Sequence, residues 1–298
     1  MSTPVSAWRE ACSGGPSMTM VEKPSIESKL PLVPGSGLVK ARAHAVSERV
    51  NDHETILATV STWDSNFVVV TPMPDGDVEF GAWLDVEAVH AFYESALERQ
   101  DTLEQYPVNE LNAHWFQFAE AVGNVGWHSD GLVHQVHVAV LFPVWTDGII
   151  GEICLKAPPW AGRPFDITQR VDLSGRLAAF DEGWRSGDLD AMASTVADGS
   201  QPIHSVIRVV EVNGDRRSRA IGHTKDELRA VWSAPEAGRV LELERLNQII
   251  TNWYVFASYR TLLEVSGRRV ARETARIFSL GPDGKFTGEL SYSMETEA

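Results

Sequence analysis

Histidines are the side chains of this sequence best suited to proton transfer, and they are unevenly placed. Seven of the nine lie in the first half of the chain. Three of these fall in strand-like runs, His114 in "LNAHWFQFA" and His134 and His137 in "LVHQVHVAVLFP". A dry pocket holds a histidine toward its neutral form, which can remove a proton next to a carbonyl group. The pattern therefore makes these histidines candidates for acid–base chemistry.

Strand geometry restricts which of the two neighbouring histidines can face a pocket. His134 and His137 are three residues apart, so a regular strand turns them to opposite faces. Apolar residues accompany both, and parity alone leaves the choice open. When the chain is aligned with itself so that Phe142 matches Phe278, Glu273 is the position equivalent to His137.

Other residues could complete a site. Tyr93, on a predicted helix, or His114 could polarise a substrate oxygen. Five residues are candidates for substrate contact: His134, Trp115, His128, Glu273 and Tyr254. Each has a plainer alternative, since large aromatic rings are usually core, His128 lies in the turn-like "GWHSDG", and Glu273 has two nearby arginines for an ion pair.

Metal and phosphate sites are not predicted. The spacing of His134 and His137 would pair ligands on a helix but not on a strand. The sequence contains no HExxH, CxxC, GxxxxGK[ST], GxGxxG or GxSxG motif. We therefore expect neither a metal nor a cofactor.

The elements that would position these residues occur twice. Residues 38–155 and 173–292 run through the same series of elements, helix–helix–strand–helix–strands. Asp52 and Asp188 stand at the N-caps of the second helices, and Gly187 supplies a left-handed stop before the latter. Strands are predicted at Phe67–Thr71 and Ser205–Val212 and helices at Leu38–Val50 and Leu173–Trp184.

The last hairpin of each copy is the clearest match. Phe142, Asp147-Gly148 and Gly151-Glu152 parallel Phe278, Asp283-Gly284 and Gly288-Glu289. Asp-Gly between strand-like runs predicts a tight turn in which both central residues take positive φ.

This element order resembles the nuclear transport factor two-like superfamily, especially its SnoaL-like and ketosteroid isomerase-like members. The segments "LAAFDEGWRSGDLDAMASTVAD", "RIFSLGPDGKFTGE" and "AWLDVEAVHAFYESAL" carry the resemblance. It implies an α+β fold with two cone-shaped barrel domains, each a strongly bent antiparallel sheet wrapped by helices. It also implies that the strand of His137 carries the polar residue that contacts substrate, which favours His137 as catalytic and Glu273 as a pocket residue. The isomerases' general base, an Asp before a Pro, is replaced here by Thr71.

Composition sets the remaining expectations. The chain of 298 residues has a formal net charge of −15, which disfavours nucleic acid and anionic membranes as partners. Two cysteines and the lack of an apolar segment long enough to cross a membrane favour a cytoplasmic protein. We predict a disordered leader at 1–37, a first domain at 38–155, a Pro-rich linker at 156–172 and a second domain at 173–298. Tandem copies resemble the homodimers of the family, and a further homo-oligomer is compatible with them.

Together these features predict a cofactor-independent lyase, isomerase or dehydratase acting on a hydrophobic, ring-containing small molecule. His137 would move the proton, and Tyr93 or His114 would polarise the oxygen. The alternative is a non-catalytic ligand-binding or assembly protein of the same fold. An open cavity with a few polar groups would favour the enzyme, and a cavity filled by Trp and Phe would favour the scaffold.

Overall fold

The computed structural model describes residues 36–60, 67–71, 86–144, 148–161, 165–198, 205–212, 215–222 and 224–297. The predicted leader lies almost wholly outside these described residues. The turn residue Asp147 and the histidines His204 and His223 also lie outside them.

Helices and strands follow one another in the same order in both halves. The first half contains α1 (Ser36–Arg49), α2 (His53–Val60), β1 (Phe67–Thr71), α3 (Val86–Arg99), β2 (Gln100–Ala113), β3 (Phe116–Trp127), β4 (Val133–Pro143) and β5 (Gly151–Lys156). The second contains α4 (Ile167–Ser186), α5 (Leu189–Ser194), β6 (Ser205–Val212), β7 (Asp215–Gly222), α6 (Lys225–Trp232), a 3₁₀ turn (Pro235–Ala237), β8 (Arg239–Ile250), β9 (Tyr254–Val265), β10 (Arg268–Leu280) and β11 (Phe286–Glu297).

The strand order shows that the two halves share one topology. The first sheet has the order β1-β5-β4-β3-β2, and the second has β7-β6-β11-β10-β9-β8. Apart from the edge strand β7, whose counterpart in the first half would fall outside the described residues, each position in one sheet has its counterpart in the other. Both sheets are antiparallel except for one parallel pair, β1 with β5 and β6 with β11. The α+β class predicted from the sequence is confirmed.

Bulges recur at equivalent places and bend both sheets. In β2 the register with β3 shifts between Thr102 and Glu104 and again between Pro107 and Asn109. In β8 the register with β9 shifts twice, with the same spacing, between Val240 and Glu242 and between Arg245 and Asn247. A bulge bends its strand and increases the local twist, so the edge strands β2 and β8 are each expected to bend at two places.

The predicted capping residues do lie at the ends of the helices. The Asp52 carboxylate accepts a hydrogen bond from the Thr55 amide, and the Asp188 carboxylate accepts one from the Ala191 amide. Gly187 has a φ of 74° and ends α4 in the left-handed conformation. Helix α4 begins earlier than predicted, at Ile167, because Asp166 forms a capping box with Gln169 inside the predicted linker.

The tight hairpin turn is not where the Asp-Gly signal predicted it. Between β10 and β11 only Gly284 has a positive φ, 73°, and the loop spans residues 281–285. The two-residue turn instead joins β9 and β10 at Ser266 and Gly267, with φ values of 51° and 78°. A Gly at the second central position allowed this turn, and Ser266 tolerates positive φ because the paired strands hold it there.

The two sheets pack against each other through equivalent faces. Phe118 of β3 stacks on Phe256 of β9 at a centroid distance of 4.2 Å. The two residues are equivalent, because Phe118 pairs with Leu141 in the first sheet and Phe256 pairs with its counterpart Ile277 in the second. Trp115 of the first half stacks on Tyr292 of the second. The chain therefore resembles a dimer with a local two-fold axis near Phe118 and Phe256, built within one polypeptide. The other face of each sheet is covered by its own helices.

Candidate functional site

An open cavity lies between the first sheet and its helices. It encloses about 210 Å³. Its walls are mostly apolar, with Leu97 from α3 and the alternating residues Val136, Val138 and Val140 from β4. Alternate residues of a strand share a face, so the even-numbered residues of β4 turn toward the cavity.

A buried carboxyl group, that of Glu152, stands in this cavity. Glu152 is 6% exposed, and the hydroxyl of Tyr93 on α3, itself 5% exposed, donates a hydrogen bond to it. Burial, reinforced by the negative charge of Glu48, raises the pKa of Glu152 from 4.5 to about 7, against the opposing effect of the Tyr93 hydrogen bond. Burial also raises the pKa of Tyr93 well above 10. At neutral pH, Glu152 can therefore exchange a proton while Tyr93 stays protonated.

A hydrogen-bonded chain leads away from this pair. His44, fully buried on α1, has its Nε2 atom 3.2 Å from the Tyr93 hydroxyl and 3.4 Å from the carboxylate of Glu48. Its Nδ1 atom lies 2.7 Å from the Thr59 hydroxyl, which already donates to the Ile56 carbonyl. Nδ1–H is therefore the donor to Thr59, and in the neutral ring Nε2 is an acceptor facing Tyr93.

The second half carries the same carboxylate in a filled interior. Glu289, equivalent to Glu152 in the matched Gly-Glu pairs, lies 3.1 Å from Arg276 and accepts a hydrogen bond from the Trp232 indole. Arg276 is 2% exposed, and its guanidinium lies over the ring of Trp184 at 3.9 Å. The pocket beside Glu289 encloses only about 10 Å³.

One substitution between the halves accounts for much of this contrast. Val140 pairs with Cys154 on β5, and Arg276 pairs with Ser291 at the equivalent place on β11. The small Val140 leaves space in front of Glu152. The long Arg276 fills that space in the second half and provides the countercharge to Glu289.

A second buried carboxylate, Glu120, joins the two sheets instead of facing a cavity. Glu120 is 2% exposed and accepts hydrogen bonds from Tyr254 at 2.7 Å and Trp253 at 3.3 Å, both in the second half. Asn109 also donates to it, and His137 Nε2 lies at 2.6 Å. Burial raises the pKa of Glu120, but the hydrogen bonds from His137, Tyr254 and Asn109 outweigh burial and hold it below its usual value.

Replacing Glu120 by alanine is expected to destabilise the folded chain by about 2–4 kcal/mol, because Tyr254 and Trp253 would lose their buried acceptor. Urea denaturation at pH 7 measures this, with the exposed Glu98→Ala as the matched control. Because the pKa of Glu120 is depressed, its contribution is present above pH 4.5 and is lost as pH falls through the folded pKa. A loss equal to that of Glu98→Ala would contradict the assignment.

The structure places His137 away from the cavity. On β4 the odd-numbered residues face the second sheet, and His137 contacts the Trp253 ring at 4.8 Å. His134 has the opposite parity, as strand geometry requires, but it is exposed near the start of β4, and its Nε2 atom lies 2.9 Å from the Asp130 carboxylate. Tyr254, predicted to contact substrate, is buried between the sheets, where it binds Glu120.

Three other predicted residues meet at the opposite end of the sheet contact. Glu273 is buried and accepts a hydrogen bond from Arg260 at 3.1 Å. Its negative charge acts on His114, whose pKa is lowered mainly by burial. Trp115 is buried beside them in the sheet contact.

His128 is exposed, and the Asp101 carboxylate 2.7 Å away raises its pKa. Of the eight predicted site residues, only Tyr93 lines the cavity of the first half.

Sequence reasoning missed Glu152 and His44. The signal for Glu152 was present: it is a lone carboxylate in the apolar run Ile149–Leu155, and it recurs as Glu289 in the repeat. A charged residue on a strand buried on both faces needs a partner or a function. No comparable signal marks His44, whose importance depends on how α1 packs on α3.

In the described part of the chain, no three His, Cys, Asp or Glu side chains are grouped to hold a metal ion. Within the same ranges, no helix combines the length and apolar character needed to cross a membrane.

The two halves share one element order and one strand order. The chain thus consists of two α+β halves of the same topology, the first with an open interior and the second with a filled one, packed sheet to sheet.

Comparison with known proteins finds no matching family model and no matching curated protein. Three similar solved structures each cover about two-fifths of the chain. An NTF-2 like protein of unknown function from Burkholderia xenovorans LB400 is 17% identical, with a TM-score of 0.31, and covers 44% of this chain and 88% of its own. The epoxide hydrolase/cyclase-like enzyme SalBIII, of pyran ring formation in polyether salinomycin, is 14% identical, with a TM-score of 0.31, covering 42% and 92%. A protein from Kribbella flavida DSM 17836 is 17% identical, with a TM-score of 0.27, covering 39% and 82%. Likeness at this level carries no conclusion about activity.

Proposed function

We propose that the first half is a cofactor-independent enzyme that moves a proton on a small, largely apolar molecule. The observation that carries the proposal is a carboxyl group with a pKa near 7 in an open apolar cavity. General acid–base catalysis is most effective when the catalytic pKa lies near the working pH. This assigns the central role to Glu152 instead of His137.

Glu152 acts as the base when ionised and takes a proton from a carbon next to an activating group. The Tyr93 hydroxyl donates to the Glu152 carboxylate before the transfer. Once Glu152 carries the proton, this donation is no longer needed, and the Tyr93 proton can turn to the His44 Nε2 atom 3.2 Å away. The contact between Tyr93 and His44 thus responds to the protonation state of Glu152.

The same proton transfer serves isomerisation, dehydration and lyase cleavage, which differ in the bond broken after the carbanion or enol forms. The apolar walls support a hydrophobic substrate. For the second half, the non-catalytic alternative is favoured, because Arg276 and aromatic rings occupy its interior. We propose that the second half serves as a scaffold for the first.

The test is proton exchange at carbon. Wild-type protein incubated in D₂O with a panel of cyclic ketones, including cyclohexanone and 2-tetralone, is expected to accelerate deuterium uptake at the α-carbon, measured by NMR. The rate should rise with pH to a plateau, with a midpoint near 7, because only the ionised carboxylate is a base. Glu152→Gln should reduce the protein-dependent rate by about 10²–10⁴-fold.

The exposed Glu242→Gln is the matched control and should retain the wild-type rate. Equal rates for wild type and Glu152→Gln would contradict the proposal. So would the absence of protein-dependent exchange with every ketone that binds.

A further inference from the structure

The contacts that join Glu152, Tyr93 and His44 call for more hydrogens than the Tyr93 hydroxyl can supply. This hydroxyl donates to the Glu152 carboxylate and lies 3.2 Å from the Nε2 atom of His44, but a hydroxyl group has a single hydrogen. In the neutral His44 ring the hydrogen is on Nδ1, which donates to Thr59. While Glu152 is ionised, one of these two contacts of Tyr93 therefore lacks a hydrogen.

A proton on Glu152 completes the series. The carboxylic acid can then donate to the Tyr93 oxygen, and the Tyr93 hydrogen turns to His44 Nε2. From this arrangement the proton can move on. The Glu152 O–H bond breaks as its proton binds the Tyr93 oxygen, while the Tyr93 O–H bond breaks as that proton binds Nε2. Glu152 is again a carboxylate, His44 has become an imidazolium, and the total charge is unchanged.

The side chain of Glu48 lies where the transferred charge would form. Its carboxylate is 3.4 Å from His44 Nε2, and a negative charge at this distance favours the protonated form of an imidazole ring. The Glu48 side chain is 30% exposed and lines the open cavity. A proton that reaches His44 therefore lies next to a group that can exchange it with solvent.

The second half keeps the packing of this ring and omits its proton acceptor. Phe180 stands eight positions before the N-cap Asp188, as His44 stands eight positions before the N-cap Asp52. Both rings make two edge-on contacts: His44 with Tyr93 at 5.3 Å and Phe142 at 5.5 Å, and Phe180 with Trp232 at 5.7 Å and Phe278 at 4.9 Å. An imidazole is therefore not required for packing at this position.

The neighbouring positions also differ in their ability to carry a proton. Trp232 donates to Glu289, and an indole N–H, unlike a hydroxyl, cannot accept a proton in return. The charge that faces Glu289 is the permanent charge of Arg276, whereas a histidine can gain and lose its charge near neutral pH.

We infer that His44 is the terminal acceptor of a proton relay in the first half, which takes the substrate proton from Glu152 through the Tyr93 hydroxyl. This inference rests on the proposed function, since it assigns a role in the same reaction. His44 acts through Tyr93 and is a positioning residue. It returns Glu152 to the carboxylate form and holds the proton beside Glu48 until solvent takes it.

The first test is NMR of the protein without any ligand, with histidine labelled by ¹⁵N and glutamate side chains by ¹³C. The His44 signals are assigned by their absence in His44→Phe. At pH 8, Nδ1 should be protonated and Nε2 unprotonated. Between pH 8 and pH 6 the Nε2 resonance should move toward that of a protonated nitrogen, at the same midpoint as the Glu152 carboxyl carbon, because coupled groups titrate together.

Three variants identify the path. In Tyr93→Phe the hydroxyl is gone, and Nε2 should no longer follow Glu152. In Glu152→Gln the amide group donates to the Tyr93 oxygen at every pH, so the Nε2 resonance should stay close to its wild-type position at pH 6. His90→Phe is the matched control, because it removes a histidine that lies 3.5 Å from Glu94 on the same helix as Tyr93. It should leave the His44 signals unchanged.

Other charged or titratable groups line the cavity with Glu152, from both helices and from β5: Glu48, Arg99, Cys154 and Lys156. All of them remain in Tyr93→Phe, so a lost Nε2 response there reports the missing hydroxyl. Thermal melting checks that this variant is folded. The shared midpoint in wild type and the resonance in Glu152→Gln test the relay without it.

The second test uses the ketone that wild type exchanges fastest in D₂O. His44→Phe copies the residue of the second half and should reduce deuterium uptake by about 10²-fold, the lower end of the effect of a group that transfers a proton. The proton on Glu152 would then return to the substrate carbon before it exchanges with solvent. Ketone binding, measured by isothermal titration calorimetry, should be unchanged.

The outcomes separate this inference from the proposed function. An equal pH response of Nε2 in wild type and Tyr93→Phe would overturn the relay and leave Glu152 intact as the base. So would a hydrogen on Nε2 at pH 8, or exchange at the wild-type rate in His44→Phe. The expected NMR results together with no protein-dependent exchange in wild type would retain the relay and reject the proposed reaction.

Discussion

Replacing Glu152 by glutamine is expected to stabilise the folded chain by about 3 kcal/mol at pH 8 and to leave its stability unchanged near pH 4. The displacement of the Glu152 pKa from 4.5 to about 7 corresponds to about 3 kcal/mol, at about 1.36 kcal/mol per pKa unit. The folded state holds this proton more tightly than the unfolded state. Stability is therefore lost as pH rises from about 4.5 to about 7, and the loss is constant above that.

Urea denaturation of wild type and Glu152→Gln at pH 4, 6 and 8 measures this effect. The difference between the two proteins should grow through this series, because glutamine keeps the shape of the side chain and has no charge to bury. A variant that gains stability while losing proton exchange would show that the carboxylate is kept at a cost to folding. A pH-independent difference would contradict the raised pKa.

Replacing Arg276 by leucine is expected to destabilise the protein by about 3–5 kcal/mol at pH 7. The substitution leaves Glu289, which is 3% exposed, as a buried charge without its partner. It also removes the guanidinium from its stacking contact with Trp184.

The double variant Arg276→Leu/Glu289→Gln separates the charge effect from the packing effect. Glutamine retains an oxygen acceptor for the Trp232 indole and carries no charge, so the double variant should recover most of the stability lost in Arg276→Leu. Urea denaturation of the two single variants and the double variant forms the cycle. A double variant no more stable than Arg276→Leu would mean that stacking, not charge, explains the loss.

The repeat could be predicted from the sequence because its signals are local. Strands β1 and β6 begin and end at the predicted residues, and Asp52, Asp188 and Gly187 act as predicted. Such features depend on the conformational preferences of one or two residues. Two features differ from the prediction because a second local signal lay nearby. Asp166 and Gln169 form a capping box that starts α4 earlier, and Ser266-Gly267 forms the two-residue turn that had been predicted at Asp-Gly.

The location of the site could not be predicted in the same way, for a reason visible in β4. This strand is covered by helices on one face and by the second sheet on the other, so its sequence is apolar at both parities. Periodicity then cannot tell the cavity face from the contact face. The resemblance implies a polar pocket residue on this strand and so favours His137. The carboxyl group that lines the cavity is instead that of Glu152, on the neighbouring strand β5.

The stacking of Phe118 on Phe256 at the local two-fold axis has a consequence for how this chain can change over time. In a true homodimer every substitution appears twice, so an arginine that closes one cone would close both. Here the halves are joined on one polypeptide, and a substitution such as that between Val140 and Arg276 affects a single cone while the shared contact persists. Covalent linkage thus permits an asymmetric division of roles at a fixed one-to-one ratio, which independent subunits encoded by one sequence could not achieve.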